Sequence, residues 1–164
     1  MANVQDVARF FINLAAYQNQ SESGDLMTNL RLQKLLYFAQ GWHLARHGTP
    51  LFDASLEAWT HGPVVPEVYH LYKANGNKGI PETQEPAPDA FTPAEYDLLL
   101  DVAREYAGYS THALVNLSHA PMAPWSRTEK SDVIPQNEIQ AYFAGKDPLP
   151  SFDEILADYP VEAL

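Results

Sequence analysis

Six histidines and no cysteine bound the chemistry open to this 164-residue chain. His43 and His47 stand four apart in a helical stretch, the spacing at which two imidazoles on one helix face ligate zinc. His61, His70, His112 or His119 would supply a third ligand, which makes a metal-dependent hydrolase using His43 or His47 with His61 or His119 one candidate. Against it, Leu44 stands where an HExxH motif carries its general base. Helical angles also group His43 with the core-facing residues and His47 with the outer ones, so the two rings do not share a direction.

Other catalytic constellations are missing from the sequence. No GxSxG nucleophile turn occurs, nor a GxGxxG or P-loop that would cradle phosphate. Asp97, Asp101 and Glu105 follow one another at four-residue steps and read as like charges on a solvated helix side. Asp153 and Glu154 belong to the first turn of a helix, where the dipole favours acids. No catalytic residue, metal or cofactor is assigned, and the chemistry that remains is recognition.

Two features suit it. Gln33, Tyr37 and Gln40, with Leu44 and His47, form one stripe of a long helix, where amides donate and accept beside a tyrosine of large area and few rotatable bonds. The same stripe also fits an ordinary polar solvent side. Trp59, Thr60 and His61 precede the stiff Gly62-Pro63 bend and Tyr69 follows it, so the bend either displays Trp59 and His61 as rigid interface anchors or tucks Trp59 into the core. The candidate contact set is Gln33, Tyr37, Gln40, Trp59, Thr60, His61 and Tyr69.

The elements that must position these residues are mostly helical. Val4, Val7, Ala8, Phe11, Leu14 and Ala15 fall at helical spacing and predict a helix over 4–17, left by the polar stretch QNQSESGD. Thr28 caps the long helix, which runs to Arg46 or His47 and stops at Gly48. Besides the recognition stripe, that helix has a core stripe (Leu32, Leu35, Leu36, Ala39, Trp42, His43). A further stripe (Lys34, Phe38, Gly41, Ala45) has two small residues that admit a close neighbour. It is expected to be central and packed on two sides. Residues 76–90 read as a connection and the most mobile loop, and Thr92-Pro93-Ala94-Glu95 is a capping box for a helix to about Tyr106. Ser110 caps a short helix through Ser118, another spans about Pro135 to Phe143, and Ser151 to Glu154 forms a second capping box. Strand signals are confined to Leu51-Phe52 and Leu56 through Thr60, around a turn at Asp53-Ala54-Ser55. The expected fold is mainly α: a single compact domain over 1–164 with six or seven helices around the long one, and at most a small hairpin.

Composition agrees. The 46% hydrophobic content suits a folded core, and no apolar run reaches the roughly 20 residues of a membrane span. The first residues show no secretory leader, so a cytoplasmic location is expected. Net charge is −11, opposing the basic footprint of a nucleic-acid binder. Residues 28–78 nevertheless net +2 and the remainder −13. Beyond Lys146 the extension over 147–164 carries only acids: Asp147, Asp153, Glu154, Asp158 and Glu162.

The run LRLQKLLYFAQGWHLARHG, then LF, then EAWTHGPVVPEVY resembles the Panacea domain, the SocA-like antitoxin family also met among phage-associated proteins. The match runs through Leu32, Gln33, Lys34, Leu35, Leu36, Tyr37, Ala39, Gln40, Gly41 and Trp42. It continues at Leu51, Phe52, Glu57, Ala58, Trp59 and the stretch from Gly62 to Tyr69. A fainter likeness follows at Leu114, Leu117, Ser118, His119, Pro124 and Trp125. The resemblance spans about residues 4–145 and leaves out the acidic extension. It implies an antitoxin of a toxin-antitoxin system that binds and neutralises a cognate protein toxin, in some members as an adaptor presenting the toxin to a protease. It brings no catalytic residues. A DNA-binding repressor, a role some antitoxins have, is disfavoured by the charge.

Overall fold

The structure, a computed structural model, describes residues 1–20 and 25–157. Of the expected QNQSESGD exit, Gln18 to Gln20 instead continue the first helix, and residues 21–24, like Asp158 and Glu162, lie outside the described residues. The helices are α1 (Val4–Gln20), α2 (Asn29–His47), α3 (Pro66–Tyr72), α4 (Pro93–Tyr106), α5 (Thr111–Ser118), α6 (Gln136–Ala144) and α7 (Phe152–Ala157). With them come a two-stranded hairpin, β1 (Glu57–Trp59) and β2 (Gly62–Val64), and short 3-10 turns at Lys73–Asn75 and Pro124–Arg127. The fold is mainly α, as the periodicity indicates.

Helix boundaries follow local chemistry. Thr28 accepts a hydrogen bond from the Arg31 amide, and Gly48 closes α2 in a left-handed conformation (φ 74°) that a glycine adopts without strain. The capping box at Thr92 and Glu95 is formed in both directions, and so is the one at Ser151 and Glu154.

The sequence places α2 at the centre, and it is more enclosed than its three stripes suggest. Every residue from Leu32 to Leu44 is buried, because α1, α3, α4, α5, α6 and β2 all pack on it. The outward face expected for Gln33, Tyr37 and Gln40 does not exist. Gln33, Lys34 and Gln40 survive there because each brackets chain outside α2, which meets the requirement that buried polar groups be hydrogen-bonded, whereas the buried Tyr37 hydroxyl has no hydrogen-bond partner among the described residues. Gln40 accepts from the amides of Leu51 and Phe52 (2.8 and 3.3 Å) and donates to the Phe52 carbonyl (2.8 Å). Gln33 accepts from the Val65 amide (2.9 Å) and donates to Asn29 (2.9 Å), which in turn donates to the Tyr69 carbonyl. Lys34 donates to the Pro63 carbonyl at 2.7 Å. The close approach expected at Gly41 is real: the Phe143 ring of α6 lies where its side chain would be.

The hairpin also differs from the expected one. β1 falls within 56–60, but its partner is Gly62–Val64 across the two-residue Thr60-His61 turn, in the register Trp59 with Gly62 and Glu57 with Val64. Gly62 makes so tight a reversal possible with φ 113°. Leu51 and Phe52 instead meet the N-terminus, where the Ala2 amide donates to the Leu51 carbonyl. The connection over 76–90 is held at intervals, by Ile80 to Met27, by the Thr83 amide to Asn13 and by a hydrogen bond from Tyr17 to Glu85.

Asp101 corrects the solvated-face reading of its helix. Its carboxylate is buried and accepts from Arg46 (2.8 Å), Arg104 (2.9 Å) and the Phe152 amide (3.2 Å), while the same arginines donate to the carbonyls of Leu149 and Pro150. This cluster clasps the acidic extension to α2 and α4. Asp101→Ala leaves two arginines facing each other without a counter-ion. Both are partly solvated, so the cost falls to about 2–3 kcal/mol rather than the full value for a buried pair. Thermal unfolding should show it, and hydrogen exchange should quicken in 149–157; unchanged protection there would mean that the extension is held by other contacts.

Candidate functional site

A cleft of about 640 Å³ opens between the first turn of α2, the Thr60-His61 turn, α3 with its 3-10 extension, and the segment at Lys130-Ser131. It gathers five of the seven candidate contact residues: Trp59, Thr60, His61 and Tyr69, with Gln33 in its inner wall. Tyr37 and Gln40 are elsewhere, inside the core. Gln33, 1% exposed, positions the wall instead of offering itself to a partner.

Each exposed member is held by a framework. Trp59 is half-buried, which falls between the two sequence readings. Its indole Nε1 donates to Glu57 (3.0 Å) and its ring meets Tyr69 edge-on at 4.9 Å. The Trp59 carbonyl accepts from the Trp125 indole at 2.7 Å, and Trp125 stacks on His119 with ring centroids 3.8 Å apart. The segment behind it pairs with β1, the Ala58 amide donating to Asp132 and the Ser131 amide to Ala58. Thr60 and His61 are therefore exposed at the tip of a turn whose base is fixed from three sides.

Under the turn lies Lys34, fully buried, with no carboxylate paired to it among the described residues. Burial pulls its ammonium down to about 7, since the charged form is not compensated. Gly62 leaves it room: a side-chain carbon there would come within 2.9 Å of Lys34 Cε and 2.7 Å of Ser118 Oγ. His119 is also lowered, first by burial and then by Lys34 and His61 nearby.

Sequence reasoning missed Leu30, Lys73, Lys130 and Ser131, which also line the cleft. Lys73 follows α3 and opens the 3-10 turn, and an amphipathic reading gives it no special place. Lys130 and Ser131 arrive through pairing with β1 across some seventy residues, and no local pattern announces that. Ser131 takes a left-handed backbone (φ 72°), uncommon away from glycine and often found at functional sites.

Of the hydrolase candidate's histidines, His43 and His47 do come together, against the separate directions their helical angles give them, but among the described residues no third ligand joins them. His43 Nδ1 sits 2.5 Å from the Thr49 carbonyl, and its ring is 4.7 Å from that of the exposed His47. Among the described residues no group of three or more His, Asp or Glu is placed to hold a metal ion. No described helix is long and apolar enough to cross a membrane.

Comparison with known proteins adds two findings. The family described as "Antitoxin SocA-like, Panacea domain" matches residues 32–126, over half of the chain. Antitoxin SocA of Caulobacter vibrioides (strain NA1000 / CB15N) is 54% identical over 54 residues, 33% of this chain and 29% of that protein. The aligned part thus spans less than a third of the relative's own length. No solved structure matches.

Proposed function

Because the chain belongs to the SocA-like antitoxin family with a Panacea domain, we propose that it is a cytoplasmic antitoxin that neutralises a protein toxin by binding it directly in the cleft at the Thr60-His61 turn. Family membership supports a toxin-antitoxin role and favours a non-enzymatic one. The direct contact is our reading. One observation carries it: Trp59 and Tyr69, large rings on a rigid base, line an open cleft with exposed polar residues at its rim. That is the anatomy of a binding hot spot.

The test is co-expression with the product of the gene encoded beside this one. Rescue of growth from a toxic product supports the proposal, and a product that is harmless, or toxic and not rescued, ends it. Given rescue, His61→Ala should weaken it with no change in melting temperature, since His61 is exposed and makes no hydrogen bond or ion pair among the described residues. Full rescue by His61→Ala and Trp59→Ala alike would place the contact elsewhere.

A further inference from the structure

We propose that the cleft accepts an acidic, extended segment of the toxin, with an aromatic or aliphatic side chain against Trp59 and Tyr69 and carboxylates beside Lys73 and Lys130. This deepens the antitoxin reading and rests on it.

Charge complementarity is the argument. The chain has 21 acids against 10 Lys and Arg, yet among the described residues no acid lines the cleft, while Lys73, Lys130 and His61 do. Neither lysine has an ion-pair partner among the described residues, and both are exposed. The third nearby cation, Lys34, reaches only the Pro63 carbonyl behind the wall. Glu57, beside Trp59 in the framework, accepts from the Trp59 indole, and Glu129 and Asp132, which flank Lys130-Ser131 in the chain, do not line the cleft. Beside the cations the walls carry apolar surface from Leu30, Val64 and the two rings, set among neutral polar residues such as Asn29, Thr60 and Asn77. A site with this alternation rejects a basic segment by like-charge contact and pairs an acidic one. The −11 net charge does not prevent the pairing, because charges more than about 8 Å apart are largely screened at physiological salt while contacts within the cleft are not. Ser131 supports the assignment: its left-handed backbone sits at the lip directly after Lys130, held by its amide on Ala58 at 2.6 Å.

The measurement is the affinity of this chain for the toxin that the co-expression test identifies, at 50 and 300 mM salt. Binding should weaken at least several-fold with salt. Lys73→Glu/Lys130→Glu should weaken it tenfold or more at low salt, reduce the salt dependence, and leave the melting temperature unchanged because both side chains are exposed. Reversing the acids of the toxin segment to lysine should restore binding to the double variant. If rescue holds but affinity is indifferent to salt and to both reversals, the acidic-segment proposal is overturned and the antitoxin reading stands. If no toxin is neutralised, both fall.

Discussion

Gly41→Ala lowers the melting temperature of this chain by roughly 4–12 °C. The single added methyl would lie 2.2 Å from Phe143 Cε2 and 2.3 Å from Cδ2, well inside van der Waals contact, so the ring or the helix must move. The ring has nowhere to go. Phe143 is 1% exposed and meets Tyr37 at 5.3 Å, Phe38 at 6.2 Å and Trp42 at 5.1 Å between centroids, and Phe38 is stacked in turn on Tyr106 at 4.3 Å. Overpacking a core this dense costs about 3 kcal/mol, and each kcal/mol is worth about 2–4 °C in a chain of this size. The improved helix propensity of alanine returns at most about 1 kcal/mol. Shortening the ring should relieve the clash, so Gly41→Ala with Phe143→Leu should be more stable than the sum of the single changes allows, by about 1 kcal/mol or more. Additive effects would show that α2 and α6 can part at no great cost.

Stability should also rise steeply between pH 7 and pH 9, by about 2 kcal/mol, and Lys34→Met should remove that rise. Lys34 ionises near 7 when folded and near 10.5 when unfolded, so across this window the unfolded chain binds the extra proton. Stability therefore increases with pH through the window, and below about 7 the folded state carries the whole cost of a buried charge. His43 and His119, both lowered by burial, act in the same direction at lower pH, which extends the decline on the acid side. Above about 10 the sign reverses, because burial raises Tyr37 and Tyr106 and the unfolded chain loses those protons first. Methionine keeps the volume but leaves the Pro63 carbonyl without its donor, so the variant gains near neutral pH only what exceeds that loss. Chemical denaturation at several pH values gives the curve; an unchanged slope in Lys34→Met would mean that the amine finds water in the folded state.

Local signals carried much of this far. The capping residues Thr28, Thr92, Ser110 and Ser151, and Gly48 at the end of α2, mark helix ends because a cap is a contact between residues two to four apart. The small-residue stripe through Gly41 marks the helix approach, since only a missing side chain admits the Phe143 ring. Angular sorting failed on the same helix. It took Gln33, Tyr37 and Gln40 for an outward face because polarity was read as exposure, whereas the two amides are buried anchors for Leu51-Phe52 and for the turn after Pro63. Nothing in a helical wheel says that a glutamine's partner is a loop folding back on it. Asp101 misled in the same way, as its two arginines and the Phe152 amide come from residues not all adjacent in sequence. In the cleft, Trp59, Thr60, His61 and Tyr69 were legible from the stiffness of Gly62-Pro63, and Lys130-Ser131 were not, since long-range strand pairing brings them in.

We place the toxin contact of this chain at the cleft of the Thr60-His61 turn. The most direct test is the dissociation constant of the purified toxin with the native chain and with Trp59→Ala. A half-buried aromatic anchor is worth about 2 kcal/mol or more at an interface, so the variant should bind about 30-fold more weakly or worse, while its circular dichroism remains helical. Equal affinity of the two proteins, with growth still rescued, would contradict the account and move the toxin contact off this cleft.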